Sequence, residues 1–473
     1  MQKIVNLPEL ILNWEQVQSY SFTRNTLSLV AYPHNLHECL DVINYAVKNN
    51  YTICPRGQGY SYGDMILNDR QIILNTSGMN KIFNWDSTTG VLICEPGVRL
   101  ADVFDLTLPD QWYLPSCPGG MNVTIAGAVA NNIHGKDSFK NGNFGNWVTE
   151  LHLLKADGGV IKVSRKENVD VFKAIVGGAG LLGIVVQITL QLMKVPSAFV
   201  YEEVVPVGNI EESIKIMQES RRDNDFLIAW VDAFGKKRKL GRGYVVKGRW
   251  INESKPVDQK RLKRSLTQST KIFNLFPSKV TWKMVRPLFT PAGIRQLNKG
   301  MFYKQKFSGQ TNTSKLFTEF NFMHNQIPDL NYVYYPHGFL EFQPLIPFHQ
   351  DSDIAKIKEV FELCHHYQSQ SLLCAVKPHS NDDFLISYAG QGYTIGIDIQ
   401  VKGRRKEQIR QFANALFELT CKAGGKIYLA KDEMLTPEYF QQMYPQWKNF
   451  LTIKQRLDPQ ALFASDMYRR LFG

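Results

Sequence analysis

The first residues whose types and spacing suggest chemistry are the glycines of segment 55–64 (PRGQGYSYGD), which directly follows the strand-like run YTIC. Gly57, Gly59 and Gly63 are positions where the backbone can adopt positive φ and approach a ligand closely. Successive N–H groups in such a turn form a concavity that binds anions such as a pyrophosphate. A tight turn without any ligand would use the same glycines, so this loop alone leaves both interpretations open.

A second glycine-rich segment, residues 119–136 (GGMNVTIAGAVANNIHGK), adds a run of small side chains. The small residues of TIAGAVA leave room for a flat, bulky ligand against the chain, and the glycines of GGAGLLG at 177–183 follow later. Neither segment is a GxGxxG motif that opens a βαβ unit, and neither reads GxxxxGK[ST]. The pattern therefore excludes a nicotinamide-binding Rossmann motif and a P-loop, and favours another flat cofactor that carries phosphates.

Composition limits the class of protein. A chain of 473 residues is longer than one hydrophobic core ordinarily supports, so we expect more than one domain. Its composition, with 44% hydrophobic and 21% charged residues, is typical of a soluble globular enzyme. The N-terminus lacks the pattern of a signal peptide, and the apolar runs are shorter than the ~18 residues of a membrane span. The seven cysteines are scattered without a CxxC pair. We therefore expect reduced thiols in a cytoplasmic protein, without a disulfide framework or a metal site.

The elements that must position these loops follow from hydrophobic patterning. Short apolar runs punctuated by glycine predict strands in the first 195 residues, mixed with helices, and glycine density falls at Val195 and Pro196. We expect an α+β fold with three parts: residues 1–196, residues 197–425 and a C-terminal segment 426–473. Apolar periodicity predicts helices at 36–49, 100–108, 353–368 and 406–422.

A family resemblance narrows this interpretation. The motifs RGxGxSYGD, EPGV, GGxxxTIAGAVANNIHGK, GNFGNxV and VGGxGxxGI occur in the order that resembles vanillyl-alcohol oxidase type flavoproteins. The segments HGK, GKIYLAKD and LDP…FASDMYRRL resemble the oxidase subunits of decaprenylphosphoryl-β-D-ribose 2′-epimerases. The resemblance implies a two-subdomain PCMH-type FAD-binding fold with an inserted α+β substrate (cap) domain. In many relatives a histidine binds the flavin covalently, but Tyr60 occupies that position here, which implies non-covalent FAD.

The resemblance also implies the site residues. Lys431 is expected to act as the base, with Lys136 near it, because two close ammonium groups depress one another's pKa. The alternative is that both are ordinary surface lysines. Sugar and phosphate contacts are expected from Gln343, Lys377 and Tyr62, in a pocket altered by Gly396. The expected FAD contacts are Arg56, Gly57, Gly59, Ser61, Tyr62, Gly63, Gly119, Thr124, Gly127, Ala130, Ile133, His134, Gly135, Gly180, Ile184 and Tyr428.

By the same resemblance, the expected reaction oxidises C2 of a polyprenyl-phospho-β-D-ribose to the 2-keto sugar. A separate short-chain reductase would then be the partner that reduces this product toward arabinose. Oxidation of a soluble aldonolactone or alditol is the alternative within enzymes. A flavin-bearing binding protein without turnover is the alternative outside them.

The basic charge of the chain is local. Between residues 236 and 264 there are twelve Lys or Arg against Glu253 and Asp258, within a net charge of +12. This local excess favours an anionic membrane surface or a phosphate and argues against nucleic acid; a solvated, mobile loop is the alternative. Residues 271–301 set Phe273, Phe276, Trp282 and Leu288 among further basic residues. Peripheral contact through 236–301 with the inner face of a membrane is one interpretation, and packing of these side chains into the domain core is the other.

Overall fold

The computed structural model of the protein describes residues 5–7, 10–253, 255–267, 270–272, 275–308, 311–322, 327–403 and 406–473. The predicted membrane contact at Phe273 lies outside the described residues. The chain begins with a five-stranded mixed sheet in the order β1-β2-β3-β5-β4, in which β5 runs parallel to both of its neighbours. Its strands are β1 Val5–Asn6, β2 Ile11–Gln18, β3 Asn25–Ala31, β4 Ile53–Arg56 and β5 Ile72–Asn75.

Helix α1 (Leu36–Lys48) connects β3 to β4 and shows why the local sequence folds as it does. The side chain of Asn35 accepts a hydrogen bond from the Glu38 backbone N–H at 3.0 Å and caps the first turn. The helix buries Cys39, Val42, Ile43 and Ala46, which recur at helical spacing on one face. The helix predicted at 36–49 is thus confirmed to within one residue.

A second five-stranded sheet is antiparallel throughout and has the order β10-β9-β11-β7-β6. Strands β8 and β12, from the same part of the chain, form a separate short antiparallel pair. The strands are β6 Ile82–Asp86, β7 Val91–Cys94, β8 Trp112–Tyr113, β9 Val148–Leu154, β10 Val160–Ser164, β11 Ile184–Gln191 and β12 Met193–Lys194. The helices are α2 Leu100–Thr107, α3 Ile125–Ala130, α4 Ser138–Asn141 and α5 Val169–Ile175.

The middle of the chain forms an eight-stranded antiparallel sheet in the order β18-β13-β15-β14-β21-β22-β20-β24. Two further antiparallel pairs, β16 with β17 and β19 with β23, accompany it. The strands are β13 Phe199–Val207, β14 Phe226–Asp232, β15 Arg242–Trp250, β16 Lys271–Ile272, β17 Phe276–Pro277, β18 Thr311–Leu316, β19 Phe339–Phe342, β20 Pro344–Pro347, β21 Ala375–His379, β22 Gly392–Ile395, β23 Ile397–Gln400 and β24 Lys426–Ile427.

Helices cover this sheet and complete the chain. They are α6 Ile210–Ser220, α7 Gln259–Ser265, α8 Ser278–Val285, α9 Pro291–Ser308, α10 Phe317–Asn321, α11 Ile354–His366, α12 Lys406–Lys422, α13 Pro437–Met443, α14 Trp447–Leu457 and α15 Asp466–Phe472. The mixture of helices with mixed and antiparallel sheets confirms the α+β fold class. Within the described residues, none of the helices has the length and apolar character needed to cross a membrane.

The C-terminal segment lies against the first sheet. The N–H of Ile53 donates to Leu462 O at 2.7 Å, and the N–H of Ala464 donates to Ile53 O at 3.0 Å. Arg470 forms an ion pair with Asp64, at 2.7 Å between Nε and Oδ2. These contacts fix the tail beside the loop that follows β4, where the first glycine motif lies.

The described residues of the basic region 236–264 do not form one continuous loop. The region contains β15, a strand in the interior of the eight-stranded sheet, and helix α7. Several of its cations pair with acids, including Lys247 with Glu203 at 2.7 Å and Arg261 with Glu319 at 2.6 Å. Strand ladders and ion pairs together hold this region in place.

Candidate active site

Three loops meet where the first two sheets adjoin. The loop after β4 places Gly57 directly against the side chain of Thr124, the residue that caps α3 by accepting from the Gly127 N–H at 3.3 Å. Gly180 has a positive φ of 73°, and a Cβ built on it would lie 3.6 Å from the Cβ of Pro55. All three glycine-rich segments found in the sequence thus contribute to one place.

The meeting point of these loops is open in front of α3. A Cβ built on Gly120 would meet no heavy atom of the described residues within 4 Å, and one built on Gly127 would meet the Thr124 hydroxyl alone, at 3.0 Å. Gly127 and Ala130 are half-buried on this side, while Ala128 and Val129 of the same helix are fully buried. We call this open face, lined by Gly57, Gly120, Thr124, Gly127 and Gly180, the cradle. A flat ligand fits an open face lined by small residues, so the cradle fits FAD.

Several of the expected cofactor residues serve chain packing. A Cβ on Gly63 would lie 2.8 Å from the carbonyl carbon of Asp432, and one on Gly135 would lie 2.8 Å from Cys117 O. Ile184 is fully buried in the core where β11 begins. These positions require small or apolar residues because other parts of the chain press against them.

The remaining expected cofactor residues surround the cradle. Arg56 ends β4 with its guanidinium donating to Gln18 O and Ile66 O, each at 3.4 Å. Tyr428 donates its hydroxyl to Asn131 O at 3.2 Å, next to the C-terminal end of α3. Gly59, with a φ of 77°, Ser61, Gly119 and Ile133 lie in the loops and turns around them.

A connected polar network lies beside the cradle. Lys377 Nζ is 3.1 Å from His134 Nδ1, and Gln343 lies 3.0 Å from His134 Nε2 and 2.7 Å from Thr394 Oγ1. The Tyr388 hydroxyl is 2.7 Å from the same Thr394 oxygen. The register of the β21–β22 pair brings two members of the network together, because Lys377 on β21 is the cross-strand partner of Thr394 on β22.

The imidazole of His134 is neutral and acts as a relay of hydrogen bonds. Burial, followed by the charge of Lys377, lowers the pKa of His134 well below its usual range. With Nδ1 accepting from Lys377, the ring proton lies on Nε2 and faces Gln343. Gln343 Oε1 is buried without a partner among the described residues, so we assign the amide with its oxygen toward His134 and its nitrogen free to donate.

Lys377 is the amine suited to proton transfer. Burial, followed by the charge of Lys431, lowers the pKa of Lys377 from 10.5 to about 7. The neighbouring His379 has its pKa lowered to about 3, by burial and then by Lys377, so it too is neutral. An amine with a pKa near neutrality can exist in its basic form at ordinary pH.

Lys431 lies in a different electrostatic setting. Its ammonium forms a salt bridge with Glu341 and lies 4.6 Å from the centre of the Tyr62 ring. Glu341 on β19 is the cross-strand partner of Asp398 on β23. Burial, followed by the charge of Glu341, raises the pKa of Asp398 well above its usual range, which favours the neutral form of this carboxyl. The cluster therefore sets two neighbouring carboxyl groups beside the ammonium of Lys431.

Comparison with known proteins agrees with this geometry. An FAD binding domain model matches residues 27–164, and a D-arabinono-1,4-lactone oxidase model matches residues 355–471. Decaprenylphosphoryl-beta-D-ribose oxidase of Mycolicibacterium smegmatis is 28% identical over 89% of this chain and 89% of its own length. L-gulonolactone oxidase of Mus musculus is 22% identical over 93% of this chain and 94% of its own length.

The chain is thus similar to FAD-binding flavoproteins of the vanillyl-alcohol oxidase type, through an FAD binding domain in its first third and an oxidase domain in its last quarter. It is an FAD-dependent oxidoreductase acting on CH–OH groups. A D-lactate dehydrogenase of Archaeoglobus fulgidus, 25% identical over 47% of this chain and 51% of its own length, is a more distant relative. The first matched segment contains β4, its loop and α3, so it covers the open cradle.

Lys136, which the sequence-based prediction places near Lys431, contacts two backbone carbonyl groups. Its ammonium donates to Phe320 O at 2.9 Å and to Asn321 O at 3.1 Å. Burial, followed by Lys377, lowers the pKa of Lys136 to about 7. The ammonium that depresses Lys377 is Lys431, so the electrostatic coupling passes through Lys377 and does not join Lys136 directly to Lys431.

Gly396 follows β22 beside the carboxylate cluster. A Cβ built on Gly396 would lie 3.5 Å from Glu341 Oε1 and 3.8 Å from Ala375 O, which is ordinary van der Waals contact. The site thus has room for a side chain at this position. Substitution here changes the lining of the pocket without forcing the backbone to move.

Sequence reasoning missed two residues of the charged cluster, Glu341 and Asp398, and the neutral His379. His379 lies two residues after Lys377 on β21, so the two share a side of that strand. Glu341 on β19 lies two residues before Gln343, which falls between β19 and β20. A spacing of two residues from a predicted residue was the signal available for both. Asp398 carries no such signal, because only the pairing of β19 with β23 brings it to Glu341.

Proposed function

We propose that this flavoprotein oxidises a secondary alcohol at C2 of a polyprenyl-phospho-β-D-ribose to the 2-keto sugar. The observation that carries the proposal is the Lys377–His134 contact of 3.1 Å beside the open cradle, with a pKa of about 7 at Lys377. Bound FAD supplies the acceptor for the hydride that leaves the carbon. Residues of the cradle would hold the cofactor, chiefly Gly57, Thr124 and Gly127.

The proton step assigns the base to Lys377. The alcohol loses its C–H bond electrons as hydride and its O–H proton to the neutral amine of Lys377, and a C=O bond forms. One N–H of that amine already donates to His134 Nδ1, which orients the lone pair. Sequence reasoning gave this role to Lys431; we assign it to Lys377 because Lys431 is engaged in a salt bridge with Glu341.

The other charged and polar groups orient the substrate. Lys431 can donate to a substrate oxygen while Glu341 compensates its charge. The free amide nitrogen of Gln343 can donate to a neighbouring hydroxyl. Protonated Asp398 keeps the cluster close to neutral, which lowers the cost of burying these charges.

Two observations bear on the substrate class. The ribose oxidase of M. smegmatis aligns over most of both chains, and this supports a lipid-linked pentose. The match of residues 355–471 to the D-arabinono-1,4-lactone oxidase model supports oxidation of a soluble aldonolactone as the second candidate. The keto sugar formed in the first case would require a reductase acting on a ketone as the next step.

Anaerobic mixing of the purified holoenzyme with each substrate class separates the candidates. Polyprenyl-phospho-ribose should bleach the flavin absorbance near ~450 nm, and aldonolactones should leave it unchanged. Bleaching by aldonolactones alone would replace the proposed substrate with the second candidate. Bleaching by neither class would contradict both.

We further propose that the FAD is bound non-covalently, because Tyr60 occupies the position of the linking histidine of relatives. Acid precipitation of the holoenzyme should leave all the flavin in the supernatant as FAD. A flavin that remains with the precipitated chain, or a peptide whose mass includes FAD, would contradict this proposal.

A further inference from the structure

Exposed apolar side chains are concentrated in one part of this molecule. Of the nineteen large apolar side chains that are exposed in the described part of the chain, nine lie between residues 275 and 307. Met284 is 75% exposed, Leu288 68% and Phe307 81%. We call residues 275–308, which include helices α8 and α9, the basic–apolar segment. A soluble surface does not normally gather so many exposed apolar groups unless it contacts something.

The charges of the basic–apolar segment have a single sign. Its sequence contains seven Lys or Arg and no Asp or Glu. None of the seven forms an ion pair with a described residue. Region 236–264 differs, because Lys247 and Arg261 there pair with acids. The basic–apolar segment therefore presents cations beside apolar groups without internal compensation.

The opposite sides of the two helices anchor them to the molecule. Trp282 of α8 is buried and donates its indole N–H to Pro328 O at 2.6 Å, and Ile294 of α9 is buried. Met284 and Val280 of α8 are four residues apart and exposed, so they share a side of that helix. The sequence-based alternative that these side chains pack into the core holds for Trp282 but not for Phe276 or Leu288, which are exposed.

The buried side of the segment leads toward the active site. Trp282 and Ile294 belong to an apolar cluster that includes Tyr334 and Phe339 and extends to Tyr62. The rings of Tyr62 and Phe339 are 5.4 Å apart, and Lys431 lies over the Tyr62 ring. Continuous apolar contacts thus join the basic–apolar segment to the charged cluster of the site.

We propose that the basic–apolar segment docks on the surface of an anionic lipid bilayer, with its exposed apolar side chains in the interface and its lysines and arginines on the headgroups. Exposed apolar groups next to unpaired cations are the two features that such an interface recognises. The proposed docking depends only on the exposed apolar groups and the cations of this segment. The delivery of a lipid-linked alcohol through this contact rests on the proposed function.

A second copy of the chain is the weaker occupant on electrostatic grounds. Each copy carries a net charge of +12 and the same uncompensated segment, so two segments facing each other would repel. An anionic bilayer provides the opposite charge over a wide area. Charge complementarity therefore favours the membrane.

Flotation of the holoenzyme with vesicles tests the docking without any substrate. Vesicles of phosphatidylcholine mixed with phosphatidylglycerol should bind the protein, and phosphatidylcholine alone should not. Binding should weaken with added salt. The triple variant Lys279→Gln/Lys283→Gln/Lys299→Gln should bind about 100-fold more weakly, at about fivefold per lysine.

Two further variants separate the apolar contribution from a general effect of charge. Met284→Glu with Phe307→Glu should abolish vesicle binding, whereas Phe83→Glu should not, although Phe83 is 52% exposed in β6. Retained FAD absorbance shows that each variant is folded. Equal binding to both vesicle types, absence of binding, or a dimer that the double variant dissociates would each overturn the proposal. Bleaching by a short, water-soluble substrate analogue tests the proposed function separately.

Discussion

The two regions of the candidate site, the proposed flavin cradle and the proposed substrate cluster, are built on different physical principles. The cradle around α3 is shaped by small residues and by close packing between loops of the chain, with open space in front of Gly120 and Gly127. The substrate side is a cluster of ionisable groups in which Lys377, Lys431 and Glu341 set one another's charge. Added volume should therefore damage the first region, and removal of charge at similar size should damage the second.

The largest effect is expected from added volume in the cradle. Gly127→Val should give a folded, colourless protein, because its side chain would occupy the space of a flat ligand, and overpacking costs about 1–3 kcal/mol even without one. The measurement is FAD content together with circular dichroism. Gly300→Val is the matched control, since Gly300 is likewise a helical glycine, in α9, and a Cβ there meets no described atom within 4 Å. A full complement of FAD in Gly127→Val would refute the position of the cradle.

Removal of the proposed base should be next in size. Lys377→Met should keep FAD and slow substrate-driven flavin reduction by about 100-fold or more, which is the range for a general base. In the wild type the rate should fall as pH drops below about 7, because the amine of Lys377 becomes protonated there. Stopped-flow rates against pH should show that this dependence disappears in the variant. A persisting inflection near the same pH would assign the base elsewhere.

Loss of Lys431 should be smaller and should shift the pH profile. Lys431→Met removes a charged hydrogen-bond donor, worth about 1.5–3 kcal/mol, so flavin reduction should slow about 10- to 100-fold. It also removes the like charge that lowers the pKa of Lys377, so the inflection should move to higher pH.

Lys136→Met is a second test of the coupling. The positive charges of Lys377 and Lys136 lower one another's pKa, so the inflection should also move to higher pH in this variant, but less than in Lys431→Met, since Lys431 is the charge that contributes most to the lowered pKa of Lys377. An equal shift in both variants would show that all three lysines form one electrostatic unit.

The smallest effect is expected from added volume on the substrate side. Gly396→Ala places a methyl group 3.5 Å from Glu341 Oε1 without a clash, so FAD content and the pH profile should not change. The substrate KM should rise about two- to tenfold, since one methyl group alters the pocket lining slightly. A loss of FAD in this variant would mean that the two sides share one wall, and the distinction between them would fail.

Much of the fold and of the cradle could be predicted from the sequence. Helices at 36–49 and 406–422 follow from apolar periodicity and appear as α1 and α12. The glycines of the cradle stand in contiguous motifs, so local sequence and family resemblance were sufficient to locate them. Gly63, Gly135 and Ile184 stand in the same motifs and are packed against other parts of the chain, which the motif alone does not reveal; their contact with FAD stays a prediction.

The sequence by itself determined the resemblance to FAD-binding flavoproteins, the glycine-rich segments of the candidate cradle and the lysines available for chemistry, because these can be read from contiguous residues. Only the tertiary structure decided which lysines have a pKa lowered toward neutrality. The pKa of Lys377 depends on burial and on Lys431, which lies 54 residues away in sequence. The charge beside Lys431 depends on Glu341 and Asp398, which meet by the pairing of β19 with β23. Electrostatic interactions act through space over a few ångströms, and that distance is set by the folded chain alone.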